Sequence, residues 1–278
     1  MIFKSFLMFA SRNATPKFTL EVKSDNAGTS GTDQFTIPVG AGTFLYDYTT
    51  SDGQSDTGLT GATTITFASG VGTYEIYITG TFPLIFFNNG GDRLKLLRVL
   101  EWGDYAAGGV AQGSAFFGCN NLTSIASDVD NINLITDGSN MFQGCGALAT
   151  LPSGMTLPLL TNGGLMFYQC SSLSALPSGM TLPLLTNGFA MFYLIGLTDL
   201  PSGMTLSSLT AGTSMFLNNT INTTRYSQLL VDLENLNPNN SIVFHGGSSL
   251  YNATGETARN LLTGVGRTWT ITDGGLEP

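Results

Sequence analysis

One pattern, repeated five times between Ala115 and Leu217, limits what this chain can fold into. Each copy has an Ala-Phe or Met-Phe pair, usually a Cys three residues after that Phe, then an apolar Leu or Ile. The copies start at Ala115, Met141, Met166, Met191 and Met215, stepping by 26, 25, 25 and 24 residues. Between them runs LPSGMTLPLLTNG, from Leu151 and again from Leu176, and LPSGMTLSSLTAG from Leu200. A period of this length, held this closely, marks stacked supersecondary units. No single unit buries its own apolar residues, so each hides them against the units above and below.

The stacking predicts an inward spine of Phe116, Phe142, Phe167, Phe192 and Phe216. Truncating Phe167, central in the stack, is expected to cost more than truncating Phe216. Cys119, Cys145 and Cys170 share one repeat position, which reads as a ladder of small buried thiols. Side chains stacked in parallel point the same way, an arrangement for packing and not for bridging. The cysteines therefore say little about redox compartment.

The wording MFxxCxxLxxLP, then a Pro/Leu stretch and Asn-Gly, resembles the BspA-type leucine-rich repeats of bacterial surface antigens, which also occur among phage structural proteins. The resemblance covers residues 97–221. It implies a right-handed solenoid with a ladder of parallel strands, used for adhesion and not for chemistry.

Upstream, FTLEV at 18–22, QFTIP at 34–38, FLYDY at 44–48, TITF at 64–67 and TYEIYI at 73–78 alternate apolar and polar residues between turn clusters, as in a small β-sandwich. FTIP at 35–38, YDYT at 46–49, GTYEI at 72–76 and GTFPLIFFN at 80–88 resemble the PKD-type sandwich that often precedes BspA-type repeats. Where that family has Trp-Gly-Asp-Gly, this chain has Thr50-Ser51-Asp52-Gly53, keeping only the Asp-Gly turn. Residues 91–97 read as a helical turn with Asp92 near its start, and 99–102 as the first repeat strand, with Trp102 covering the junction. After the repeats, Tyr226, Leu229, Leu230 and Leu233 hold helical spacing. A strand at 241–244 follows, then a helix bearing Ala258, Leu261 and Leu262 with Thr254 as N-cap, then a strand at 268–272. The expected architecture is mainly β: an arm at 1–16, a PKD/Ig-like β-sandwich at 17–90, a leucine-rich-repeat solenoid at 91–221 and a small α/β C-terminal cap at 222–278. The segment MIFKSFLMFA has only a slight likeness to a signal peptide, its apolar run being broken at Lys4 and Ser5, so an arm that docks on a partner is the preferred reading.

Only 10% of residues are charged and the net charge is −9, so no basic stripe exists to neutralise phosphates, which argues against nucleic acid and against anionic membranes. No apolar run is long enough for membrane insertion. Zinc or phosphate motifs are absent from the sequence, and no cofactor is expected. His245 is the one histidine and reads as structural. Asp52 and Asp56 read as a plain turn, lacking the further carboxylates a calcium loop needs. The repeats offer few carboxylates for glycoside hydrolysis, namely Asp104, Asp128, Asp130, Asp137 and Asp199.

The residue after each repeat Phe is Phe117, Gln143, Tyr168, Tyr193 and Leu217, a column expected to face outward or sideways. From Gly138 to Thr198 the chain has no charged residue. Two readings follow: stacked Asn, Ser and Thr ladders exclude like charges, or one flank is buried against another protein. The candidate contact surface is Phe117, Tyr168, Tyr193, Leu159 and Leu184. The expected function is a non-enzymatic phage structural protein (tail fibre, spike or capsid-attached fibre) that adheres to the host surface. It would be found in the virion, where its partners are other virion proteins or copies of itself, and a host surface protein or glycan. A bacterial secreted or surface adhesin and a polysaccharide-degrading spike are the alternatives.

Overall fold

The computed structural model describes residues 16–278. The arm and signal readings of residues 1–15 fall outside these.

The chain is mainly β. Seven strands come first: β1 (Phe18–Lys23), β2 (Gln34–Ile37), β3 (Leu45–Thr50), β4 (Ser55–Leu59), β5 (Thr63–Thr66), β6 (Thr73–Thr81) and β7 (Leu96–Glu101). The antiparallel order β4-β3-β6-β1-β7 makes one sheet, and β2 pairs with β5 in a second. Alternation selects the inner face: Leu20, Val22, Tyr46, Tyr48, Tyr74, Ile76 and Ile78 of the larger sheet are buried, as are Phe35, Ile37 and Ile65 of the smaller. Phe67, just after β5, stacks on Tyr74 at 3.9 Å between centroids. The strand β4 was not anticipated; its residues are almost all exposed, so it lacks the apolar alternation that marks a strand in sequence.

The segment expected to open the repeats, at 99–102, belongs to β7, which has two roles. One edge pairs antiparallel with β1. The other meets the first repeat through an Arg98–Ser124 parallel bridge, with Val99 N donating to Ser124 O at 3.1 Å. The turn before β7 closes through Lys95 N to Asp92 O. The Asp92 side chain does not cap that turn. It reaches back to accept from the backbone N–H of Thr29, Ser30 and Thr36 and from the Ser30 hydroxyl. Lys95 Nζ donates to the carbonyls of Ser30, Gly31 and Gln34. Both side chains are buried, 4.0 Å apart. Burial works against the Asp92 carboxylate, but bonds from Ser30 and Thr36 and the Lys95 charge outweigh it and lower its pKa.

In the first repeat copy, N–H groups of Gln112, Ser114, Phe116 and Gly118 donate to carbonyls of Asp137, Ser139, Met141 and Gln143 in the next. Those of Ala115, Phe117 and Cys119 donate back three residues. The next copies repeat this division, which satisfies the backbone turn by turn. Two positions per copy are left-handed: Ser114, Asn140, Leu165, Ala190 and Ser214, and Gly118, Gly144, Gln169, Leu194 and Asn218. These interrupt extended geometry. The parallel strand ladder implied by the resemblance is accordingly reduced to single bridging residues, Asp137–Asn162–Asn187–Ala211.

The five repeat phenylalanines stack at 5.4, 5.8, 6.0 and 5.4 Å. The spine is longer than expected. Phe87 lies 6.5 Å from Phe116, and Phe244 sits edge-on to Phe216 at 6.1 Å. Phe216 is therefore not terminal, and the expected difference from Phe167 loses its basis. The Cys145 and Cys170 thiols donate to the carbonyls of Phe116 and Phe142 one turn back. Trp102 is fully buried, stacked on Phe18 and edge-on to Phe116, as its junction role requires.

The last segment holds α1 (Thr223–Leu236), β8 (Val243–His245), β9 (Leu250–Tyr251), α2 (Ala253–Thr263), β10 (Thr270–Thr272) and β11 (Gly275–Leu276). Asn222 caps α1 by accepting from Arg225 N. Asn252, not Thr254, caps α2, accepting from the N–H of Thr254 and Gly255. Thr254 lies inside the first turn, where its own N–H is one of the groups needing a partner. Both pairs, β8–β10 and β9–β11, are parallel, and a Gly212–Phe244 bridge joins them to the repeats. This segment thus adds parallel pairs beside those of the repeats, with α1 before β8 and α2 between β9 and β10. One hydrophobic cluster runs from Phe18 to Ile271.

Candidate functional site

The outer side of the repeats is set by what each rung needs internally. In the sequence Thr-Asx-Gly, and Thr-Ala-Gly in the last copy, the hydroxyls of Thr161, Thr186 and Thr210 donate to the carbonyls of Thr136, Thr161 and Thr186. Asn162 Nδ2 donates to Asp137 Oδ1 at 3.2 Å, and Asn187 Nδ2 to Asn162 Oδ1 at 2.8 Å. The glycines Gly138, Gly163 and Gly188 sit in close approach: a Cβ there would lie 3.0, 2.7 and 3.0 Å from the Sδ of Met166, Met191 and Met215, so an added side chain obliges the Met to shift. Stacked Asn and Thr ladders thus occupy part of the uncharged surface, as the first of the two readings expected.

Phe117, Gln143, Tyr168, Tyr193 and Leu217 do form a column, all half-buried. The structure brings Tyr168 and Tyr193 together, with centroids 5.2 Å apart and planes inclined at 45°. Leu159 and Leu184 are exposed at 39% and 44%, and lie on another segment of the turn, two residues before the Thr rung. They form a second column and do not extend the first. Sequence reasoning missed Phe189, also exposed, which stands where the preceding copies have Ser139 and Gly164.

It also missed a groove beside the tyrosines, lined by Asn120, Gly144, Gly146, Gln169, Ser171 and Leu194, crossing four successive copies. A Cβ on Gly146 would come within 2.3 Å of Asn120 Oδ1. The available signal was the second left-handed position: Gly118 and Gly144 fill it in the first two copies, whereas Gln169 and Leu194 hold φ of 61° and 62° in the next two.

Several groups able to do chemistry are engaged in internal bonds, whereas Asp104 and Asp130 are exposed. The His245 Nδ1 accepts from Gly247 N at 3.1 Å, and burial lowers its pKa against the opposing Asp273 charge. Burial pushes the Cys119 and Cys145 thiols well up and Cys170 up to about 12. Asp52 stands in a turn and accepts from the Thr50 hydroxyl and, 17 residues on, Ser69 N; Asp56, expected in the same turn, lies instead in β4 opposite Tyr48 and accepts from Thr57 N. Asp128 holds the N–H of Trp102 and Gly103, Asp137 that of Ser139, and Asp199 that of Leu200. Among the described residues no group of three or more His, Cys, Asp or Glu is placed to hold a metal, and no helix is long and apolar enough to cross a membrane. Compared with protein-family models, curated proteins and solved structures, the chain finds no match in any of the three.

Proposed function

We propose that this chain is a non-enzymatic phage structural protein, a tail fibre, spike or capsid-attached fibre, that adheres to the host surface. In this reading residues 91–221 are a leucine-rich-repeat solenoid of the BspA type, preceded by a PKD-like sandwich. The rung-to-rung hydrogen bonds and the Phe spine support the solenoid. The observation that carries the adhesive role is the flank: from Gly138 to Thr224 the one charged residue is Asp199. Depletion of charge with half-buried Tyr and exposed Phe and Leu is a composition that contact surfaces share. Mass spectrometry of purified virions from the strain carrying the gene tests the assignment. The chain is expected among the particle proteins; its absence there, with the chain recovered from the bacterial surface, would turn the reading to a bacterial adhesin. Incubation with host polysaccharide should release no oligosaccharide; release would make it a degrading spike. Light scattering of Tyr168→Lys/Tyr193→Lys beside the parent chain tests self-association, the double variant being expected to have the smaller mass if copies meet on this flank.

A further inference from the structure

We infer that the groove beside the tyrosine column binds an uncharged oligosaccharide. This deepens the adhesive reading of the same flank and rests on it.

Charge decides the ligand class. The groove lining carries no ionisable side chain, and residues 138–198 contribute none; Arg93 packs against Gly118 beyond the Gly144 end, so a charged ligand lying along the lining itself meets no counter-charge. The available chemistry is amide and hydroxyl. Asn120, Gln169 and Ser171 are exposed at the groove. Each amide offers two donors and an acceptor, and the hydroxyl one donor and two lone pairs. Neither the Asn120 nor the Gln169 amide is engaged by another described side chain. Tyr168 and Tyr193, each next in sequence to a groove residue, add a paired aromatic surface with polar tips. Aromatic faces with neutral hydrogen-bonding groups match the apolar faces and hydroxyl rims of sugar rings.

Backbone geometry shapes the groove. Gln169 and Leu194 keep side chains at left-handed positions where the two preceding copies have glycine. Left-handed L-residues recur at Asn218 of the fifth copy and at Ser114, Asn140, Leu165, Ala190 and Ser214, so the conformation belongs to the repeat and sets where the Gln169 and Leu194 side chains stand. Gly146, whose φ is not positive, leaves room for Asn120, whose Oδ1 lies 2.3 Å from where a Cβ would stand.

The test is native affinity electrophoresis of the full chain in gels containing dextran, soluble starch or galactomannan, with heparin as the charged counter-probe. Retardation is expected with at least one neutral polymer and not with heparin. Tyr168→Ala, Tyr193→Ala and Gly146→Ala should each weaken it by about tenfold or more. Gln169→Gly separates binding from folding: it should weaken retardation while raising the melting temperature by about 2–4 °C, because the backbone strain is relieved. No retardation by any neutral polymer, retardation by heparin alone, or retardation that survives all four variants would overturn the inference. A chain present in virions yet unretarded removes the sugar site and leaves the particle assignment standing. A chain that is retarded but absent from virions does the reverse.

Discussion

Asn219 stands in the fifth copy where three earlier copies have cysteine, and it does more than a thiol does. Its amide donates to the carbonyls of Phe192 and Phe216 at 2.7 and 3.1 Å, and its oxygen accepts from Leu197 N at 2.7 Å, all in the interior. Asn219→Ala leaves these groups orphaned and should cost about 3 kcal/mol in urea unfolding. Asn219→Cys restores a donor to the Phe192 carbonyl only and should fall between the two. The buried thiols also predict a pH response. Their folded pKa values lie above the ordinary 9.0, with Cys170 at about 12, so the unfolded chain loses these protons first. For Cys170 this contribution is complete below pH 9 and falls between pH 9 and 12, by about 1.4 kcal/mol per pH unit. Cys170→Ala should flatten that alkaline decline measurably, and an unchanged slope would contradict it.

Between neighbouring turns the contact of Gly163 with Met191 is the tightest of its series. Gly163→Ala should destabilise by about 1–3 kcal/mol through overpacking. In a Met191→Ala background the added methyl has room, so a double-mutant cycle should return a coupling of about 1 kcal/mol or more. The spine makes a second claim. Phe167 and Phe216 each lie between two rings, so truncating either to Ala should cost about 3–5 kcal/mol, the two values agreeing within about 1 kcal/mol. Much of this was legible in the sequence, because Phe, Cys, Met and Thr-Asx-Gly recur at one spacing and stacking converts spacing into columns. Phe87 was not, since 29 residues separate it from Phe116 and its copy lacks both the Met and the Cys. Nor was the groove, which depends on left-handed backbone at Gln169 and Leu194, a conformation those side chains disfavour. The bonds from Asp92 to Thr29 and Ser30 span 62–63 residues, beyond the reach of any local pattern.

At the scale of the molecule, β7 serves the N-terminal sheet and the first repeat at once, and one core passes through it. Calorimetry should therefore show a single transition whose calorimetric and van't Hoff enthalpies agree, where loosely joined parts would give two. Lys95→Met strips the interior Asp92 of its counter-charge and frees three loop carbonyls, and should lower that transition at a cost of about 3–5 kcal/mol. The rungs have a different consequence. Asn162 meets Asn187 as Asn187 meets Ala211, so the ends of a turn are interchangeable. Excising residues 163–187 would join Asn162 to Gly188 and recreate a bond pattern already present. Such a chain should fold, with a maximum dimension in small-angle scattering shorter by about one turn, near the 5.4–6.0 Å ring spacing. The reach of this protein is then a counted quantity: crossing over between the near-identical stretches at Leu151 and Leu176 lengthens or shortens it by whole turns, leaving both ends untouched.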